Sequence, residues 1–334
     1  VGRRLQRELF RMVVSDLVSD PPNLYAARLA RYVHLVRRCT VEHPDWTAAL
    51  LRWARHEAGL AYTAHAGAAE FLAARLAAGQ HGMSRQVIDS VLVEPLDPTW
   101  LLYYWNYFHG RTLPKPLKRG ISDAVRRLYT EQSVLEDDRT RMELRFGDVL
   151  NRVHPKPVDE RQSALFRSIV ERRYDRNAQN VKPPRPRPAP ARELPRLAGH
   201  TLVLADLNAV ERYEFGQTVE LAASRCERVE VVRWRRERLP HHRSNDLDRV
   251  VRRRFRILFR RHDRVLVITE DQQLDRPLSW SLPWHVPLHV WDLSDRDTQW
   301  ASVSRHRYRH HGHREHALWA LSLFEAGEQG LWPW

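Results

Sequence analysis

The run GRTLPKPLKRGISDAVRRLY, from Gly110 to Tyr129, places cations and apolar residues in a pattern that suits phosphate binding. Leu117, Ile121, Val125 and Leu128 recur at helical spacing and should face a core. That leaves Lys115, Lys118, Arg119, Ser122 and Arg126 on the adjoining face near the helix start, with Arg111 just upstream. Basic side chains beside the free backbone N–H groups of a helix N-terminus suit a phosphate oxygen. The alternative is a solvated face whose charges are paired by Asp123 and Glu131.

A second run, RFGDVLNRVHPKP from Arg145 to Pro157, predicts a short amphipathic helix ending in a basic, proline-bracketed turn from which His154 and Lys156 project. A third, RVVRRRFRILFRRHDR from Arg249 to Arg264, predicts one helix with a buried Val/Phe/Ile/Leu face. Its positive outer face, carrying Arg253 and Arg260, would be a second patch facing a polyanion.

Oxygen ligands for a hard cation gather at three places: Asp206 and Asn208 after the run TLVLA, Ser244-Asn245-Asp246, and Thr269-Glu270-Asp271. The stretch HRYRHHGHREH, from His306 to His316, holds five histidines. Their spacing matches no zinc ligand set, Gly312 interrupts a helix and the arginines oppose a cation, so a polar basic loop is expected. The chain has no Gly-rich phosphate loop, no G-x-S-x-G elbow and no H-E-x-x-H, so no enzyme is indicated.

The formal charge of +14 rests almost wholly on guanidinium: of 55 basic residues only Lys115, Lys118, Lys156 and Lys182 are lysines. Arg forks match phosphates and stack on bases, which points to a nucleic-acid partner. A GC-rich genome would explain the Arg:Lys ratio but not the excess over 41 acids. Cys39 and Cys226 are the only cysteines, so a disulfide framework is excluded and a reducing cytoplasm fits. No stretch approaches about 18 uncharged apolar residues and no signal pattern opens the chain, so no membrane partner or targeting is expected.

These residues must be held by two kinds of scaffold. From Leu5 to about Tyr174 the apolar periodicity is helical, punctuated by Pro and Gly at Pro21-Pro22, Pro44, Gly79 to Gly82, Pro95 to Pro98, Gly110 and Pro114. A stack of short helices resembling a HEAT-type α-solenoid is expected over 1–178. Residues 179–198 form a Pro/Arg-rich linker, with six prolines between Lys182 and Pro195. Over 199–334 apolar strands alternate with helices, predicting an α/β domain with a parallel sheet. The fold class is therefore multidomain, α followed by α/β.

The helical half resembles the TROVE module of the Ro ribonucleoprotein autoantigen family, in LARYVHLVRR through PDWTAALLRWAR, in LPKPLKRGISDAVRRLY and above all in RFGDVLNRVHPKP. The second half is similar to the Rossmann-like von Willebrand A domain that follows TROVE in bacterial members, through HDRVLVITEDQQ, VPLHVWDLSD and LSLFEAGEQGLWPW. The resemblance implies a HEAT-like helical ring binding small structured noncoding RNA of the Y-RNA kind on its outer surface, with Lys118, Arg119, Arg126 and His154 on the contacting motifs. It also implies a partner RNA-processing or repair enzyme, and no DNA. Two departures stand out. The helical half is shorter than the family's, which removes the helices that close the ring. The metal-ion-dependent adhesion site, expected to hold Mg²⁺, reads Asp206, Asn208, Val210, and Val supplies no oxygen, so the fold is retained with a degraded metal site.

The reading is thus a non-catalytic RNA-binding scaffold with no firm cofactor. Its rivals are a protein-interaction scaffold using the α/β domain, and a divalent-metal nuclease using Asp206, Asp246, Glu270 and Asp271.

Overall fold

The computed structural model describes residues 2–17, 26–138, 144–172, 195–206, 216–234, 255–269, 282–292, 306–310 and 314–334. The chain forms two compact units, one of Val1–Phe10, Leu24–Ala191 and Trp334, the other of Arg11–Asn23 and Arg192–Pro333. Among the described residues no helix is long and apolar enough to cross a membrane.

The first unit is helical. Its elements are α1 (Gly2–Asp16, whose residues divide between the two units), α2 (Ala26–Glu42), α3 (Pro44–His56), α4 (Ala61–Ala77), α5 (Ser84–Ser90), α6 (Asp97–His109), α7 (Lys115–Leu128), α8 (Glu131–Asp137), α9 (Phe146–Val153) and α10 (Glu160–Arg172). Proline starts three of them, at the first or second position of α3, α6 and α7, where its missing N–H costs nothing. Pro98 therefore opens a helix rather than separating two.

Helices pack on near neighbours in sequence: α2 on α3 and α4, α4 on α6, α5 on α7, and α9 on α7 and α10. Two buried carboxylates pin this stack. Asp97, at the start of α6, accepts from the Arg55 guanidinium at 2.7 Å and from the amides of Val93 and Glu94 at 2.7 and 2.8 Å, and lies 3.3 Å from His65. Glu70 of α4 accepts from Arg37 at 2.6 Å and from the Tyr104 hydroxyl at 2.9 Å, with the His109 ring nitrogen also at 2.9 Å. Burial works to raise both carboxyls. Their donors more than offset it, so Glu70 lies below its ordinary value and Asp97 is held down to about 2.

The second unit is α/β: β1 (Leu197–Asp206), α11 (Gly216–Ser224), β2 (Cys226–Trp234), β3 (Arg264–Thr269), β4 (Leu288–Asp292), β5 (Arg307–His310) and α12 (Arg314–Gln329). The five strands are all parallel, in the order β2-β1-β3-β4-β5. One sheet face buries Leu202, Leu204, Val265, Val267, Leu288 and Val290 beneath Phe255, which belongs to a helical turn at 255–258. The opposite face receives α12, where Phe324 stacks on Tyr308 with ring centroids 4.6 Å apart.

Two sequence expectations are corrected here. The run from His306 to His310 is not a polar loop: Arg307–His310 is strand β5, with Tyr308 and His310 buried. Alternation put the inward residues at every second position, which polar residue types concealed. Arg264 is not an outward cation of the Arg249–Arg264 helix. It begins β3, buried, and meets Glu325 of α12 through two contacts of 2.8 Å, with further bonds to the Ala198 carbonyl and the Thr201 hydroxyl.

Candidate nucleic-acid interface

The α6–α7 loop is fixed from both sides. The Trp105 indole donates to the Thr112 carbonyl at 3.0 Å, and Arg152 of α9 donates to the Arg111 carbonyl at 2.9 Å. The loop thereby joins the last turn of α9 to the start of α7. Arg111, Lys115 and Arg119 are exposed and Lys118 is half-buried. None of these four makes an ion pair with a described residue. Burial first, and then the charge of Arg111, hold the Arg152 guanidinium below its ordinary value. Two cations pressed together in this way are relieved by an anion.

α7 owes its position to Gly120. A Cβ there would stand 2.7 Å from Ile88 side-chain carbons and 2.8 Å from the Arg85 carbonyl oxygen, so α5 and α7 cross at backbone contact. Leu117, Ile121, Ala124 and Val125 are buried, and Lys115, Lys118 and Ser122 run along the other side.

α9 ends as its sequence pattern suggested. His154 caps it in the left-handed region, φ 50 and ψ 60, with its amide donating to the Leu150 carbonyl at 2.9 Å, and both His154 and Lys156 are exposed. Left-handed backbone is costly for a residue with a Cβ, and the turn is held by packing between α9 and α10. A cleft of about 410 Å³ beside it is lined by Asn151, His154, Pro157, Phe166 and Arg167 among others.

Arg126 differs from its neighbours. Asp123 takes it as an ion-pair partner together with Arg85, whose Nη2 lies 2.9 Å from the carboxylate, and Arg85 first, then Arg126, draws the Asp123 carboxyl down. The paired alternative therefore holds for Arg126 and not for Lys115, Lys118 or Arg119. Glu131 pairs with Arg161 at 3.3 Å instead.

A further feature had not been singled out. α6 turns Leu101 and Leu102 inward, fully buried, and Trp100, Tyr103 and Tyr107 outward at 47%, 39% and 73% exposure. Those three lie at i, i+3 and i+7, one helix face. The W-x-x-Y-x-x-x-Y spacing was visible in the sequence, yet aromatics at helical spacing are ordinarily core.

In the second unit Arg260 is exposed, while Arg253 lies outside the described residues. Of the five metal candidates only Asp206 is described; Asn208, Asp246, Glu270 and Asp271 lie outside. Asp206 ends β1, buried, and accepts from the Thr269 hydroxyl at the end of β3 at 3.3 Å. This is the β1/β3 switch point of the sheet, where doubly wound folds receive ligands. Asp206 and Thr269 are the described oxygen donors at this strand end, and the remaining candidate ligands lie outside the described residues.

Among the described residues one trio, His200, Glu230 and His262, has a metal-like spacing, with potential ligand atoms within 4.8 Å of one another. Its hydrogen bonding closes it. The Arg260 amide donates to His262 Nδ1 at 3.1 Å, so the ring proton sits on Nε2, 3.3 Å from the Glu230 carboxylate. With both nitrogens engaged, His262 has no lone pair to offer, and the trio clasps β1 and β2 to the turn before β3.

Compared with protein-family models, curated proteins and solved structures, the chain matches none.

Proposed function

We propose that this protein binds a small structured RNA, of the Y-RNA kind, through the α6–α7 loop, the outer side of α7 and the α9 turn, and acts as a non-catalytic ribonucleoprotein scaffold in RNA processing or quality control. The observation that carries the reading is the set of cations, Arg111, Lys115 and Arg119 exposed and Lys118 half-buried, that no described carboxylate neutralises while neighbouring Arg126 and Arg127 are paired. Selective pairing of this kind leaves charge where a polyanion can collect it. His154 and Lys156 extend the same surface from a turn whose backbone is already fixed, which limits the ordering cost of binding.

The motif resemblance supports the same reading. On it, the helical unit is a shortened HEAT-like TROVE module, the parallel sheet with its helices is a von Willebrand A-like domain with a degraded metal site, and an RNA-processing or repair enzyme is the protein partner. Both cysteines are free thiols, which suits a cytoplasmic protein.

Binding is to be measured by fluorescence anisotropy with a structured RNA at physiological salt, alongside sequencing of RNA that copurifies from the native host. Sub-micromolar affinity is expected, falling steeply with salt. Lys118→Glu with Arg119→Glu should weaken it and lower the salt slope by roughly 1 to 2. No shift below micromolar protein, or recovery of random fragments alone, would leave the protein-scaffold reading in its place.

A further inference from the structure

The outward face of α6 is unlike that of an ordinary exposed helix. Its large exposed side chains are all aromatic, Trp100, Tyr103, Tyr107 and Phe108, joined by Tyr62 of α4, while its leucines Leu101 and Leu102 point inward. Trp100, Tyr103 and Tyr107 are not stacked flat on one another. Trp100 and Tyr103 meet edge to face at 83°, with centroids 6.3 Å apart, and Tyr107 and Phe108 at 73°, 4.7 Å apart. Tyr103 also lies close enough to Tyr62 that, after burial, its hydroxyl helps to raise that of Tyr62.

Charge distribution says what could lie there. Between Asp97 and Asp123 the sequence contains no Asp or Glu. Asp97 itself is buried and taken by Arg55. The aromatic face thus carries no carboxylate of its own segment and runs straight into Arg111, Lys115, Lys118 and Arg119. A ligand matched to it has flat apolar faces at one end and repeated negative charge at the other.

We infer that α6 is a stacking platform for an unpaired stretch of RNA, whose bases lie against Trp100, Tyr103 and Tyr107 and whose phosphates continue onto Arg111 and the start of α7. This rests on the RNA reading above and names the part of the RNA that the aromatic face takes. Seven residues of helix advance about 10 Å between Trp100 and Tyr107, room for roughly two to four nucleotides at 3.4 Å per stacked base. Stacking on aromatic side chains tolerates any base, so the platform selects for unpaired strand rather than for sequence.

The test uses the full chain and three labelled RNAs: a blunt hairpin, the same hairpin with an unpaired tail of about ten nucleotides, and an unstructured oligonucleotide of similar length. Wild type should bind the tailed hairpin at least about tenfold more tightly than the blunt one, the gain expected from a single stacked base. The triple variant Trp100→Ala, Tyr103→Ala, Tyr107→Ala should lose that preference and most oligonucleotide binding. It should hold the blunt hairpin as wild type does, with an unchanged circular dichroism spectrum. The variant Trp100→Phe, Tyr103→Phe, Tyr107→Phe, which keeps flat faces, should restore the preference. Equal binding of blunt and tailed hairpins by wild type, or a tail preference that survives the alanine variant, overturns the platform while leaving the RNA reading standing. Failure of wild type to bind any of the three overturns both.

Discussion

His154 separates fold from function at a single residue. Its left-handed backbone is one that glycine adopts freely, so His154→Gly should leave stability unchanged or raise it by up to about 1 kcal/mol. The same change removes an exposed ring from the proposed RNA face and should weaken RNA binding severalfold. A loss of thermal stability would instead show that the side chain holds the turn. Arg126 makes the complementary case. Because Asp123 already pairs it, Arg126→Ala should cost RNA affinity much less than Arg119→Ala, measured side by side by anisotropy at two salt concentrations. Deeper in the unit, Asp97→Asn leaves the buried Arg55 guanidinium only the half-exposed Glu94 carboxylate at 3.6 Å, and a cost of up to about 3–5 kcal/mol is expected in urea unfolding. The wild-type carboxyl is held at about 2, against about 3.9 in an unfolded chain. Its stabilisation is therefore fully present above pH ~4 and is lost as pH falls toward 2. Glu325, also held at about 2 against the raising effect of burial by His289 and Arg264, gives the second unit the same sign and window. An acid titration followed by circular dichroism, in wild type and in Asp97→Asn, should show the variant's stability less dependent on pH across that window.

At the scale of elements, the crossing of α5 and α7 depends on one missing Cβ. Gly120→Ala must push against the Arg85 carbonyl, which cannot rotate away as a side-chain tip could, so overpacking of about 1–3 kcal/mol is expected as a lowered thermal midpoint. RNA affinity should fall with it only if the displacement of α7 reaches Lys115 and Lys118. How far such elements were legible in the sequence depended on whether their neighbours were local. Runs such as TLVLA and RVLVIT announce buried strands by themselves, and Gly110 and Pro114 mark the loop that carries Arg111. β5 escaped notice because Tyr308 and His310 are buried by α12 and by β4, about 20 residues earlier, rather than by any apolar run of their own. Arg264 passed for a surface cation because its partner Glu325 is 61 residues away. The pairing of Arg126 with Asp123 was local and visible, whereas the second arginine on that carboxylate, Arg85, is 38 residues distant. The aromatic face of α6 was hidden for the opposite reason: its periodicity is plain, but periodicity alone does not say which side of a helix meets water.

For the molecule as a whole, a charge of +14 acting as one diffuse field and the same charge acting through a defined surface have different consequences. A diffuse field would hold RNA everywhere that arginine is dense, including the exposed Arg256, Arg260 and Arg261 before β3, and would vanish uniformly with salt. A defined surface would keep its position as salt rises, because stacking and close phosphate contacts survive screening that removes long-range attraction. Hydrogen exchange with and without RNA distinguishes the two, since binding slows local opening wherever it stabilises the folded form. At low salt, protection is expected over α6, the α6–α7 loop, the first turns of α7 and residues 152–156, with weaker protection over 255–261. Raising salt severalfold at saturating RNA should abolish the second and leave the first. Protection of 255–261 that persists at high salt would establish the second RNA face expected from Arg253 and Arg260. Protection that fades in parallel everywhere would mean that the unpaired cations around Arg111 are merely the densest part of a general polyanion attraction, and the scaffold reading would give way with it.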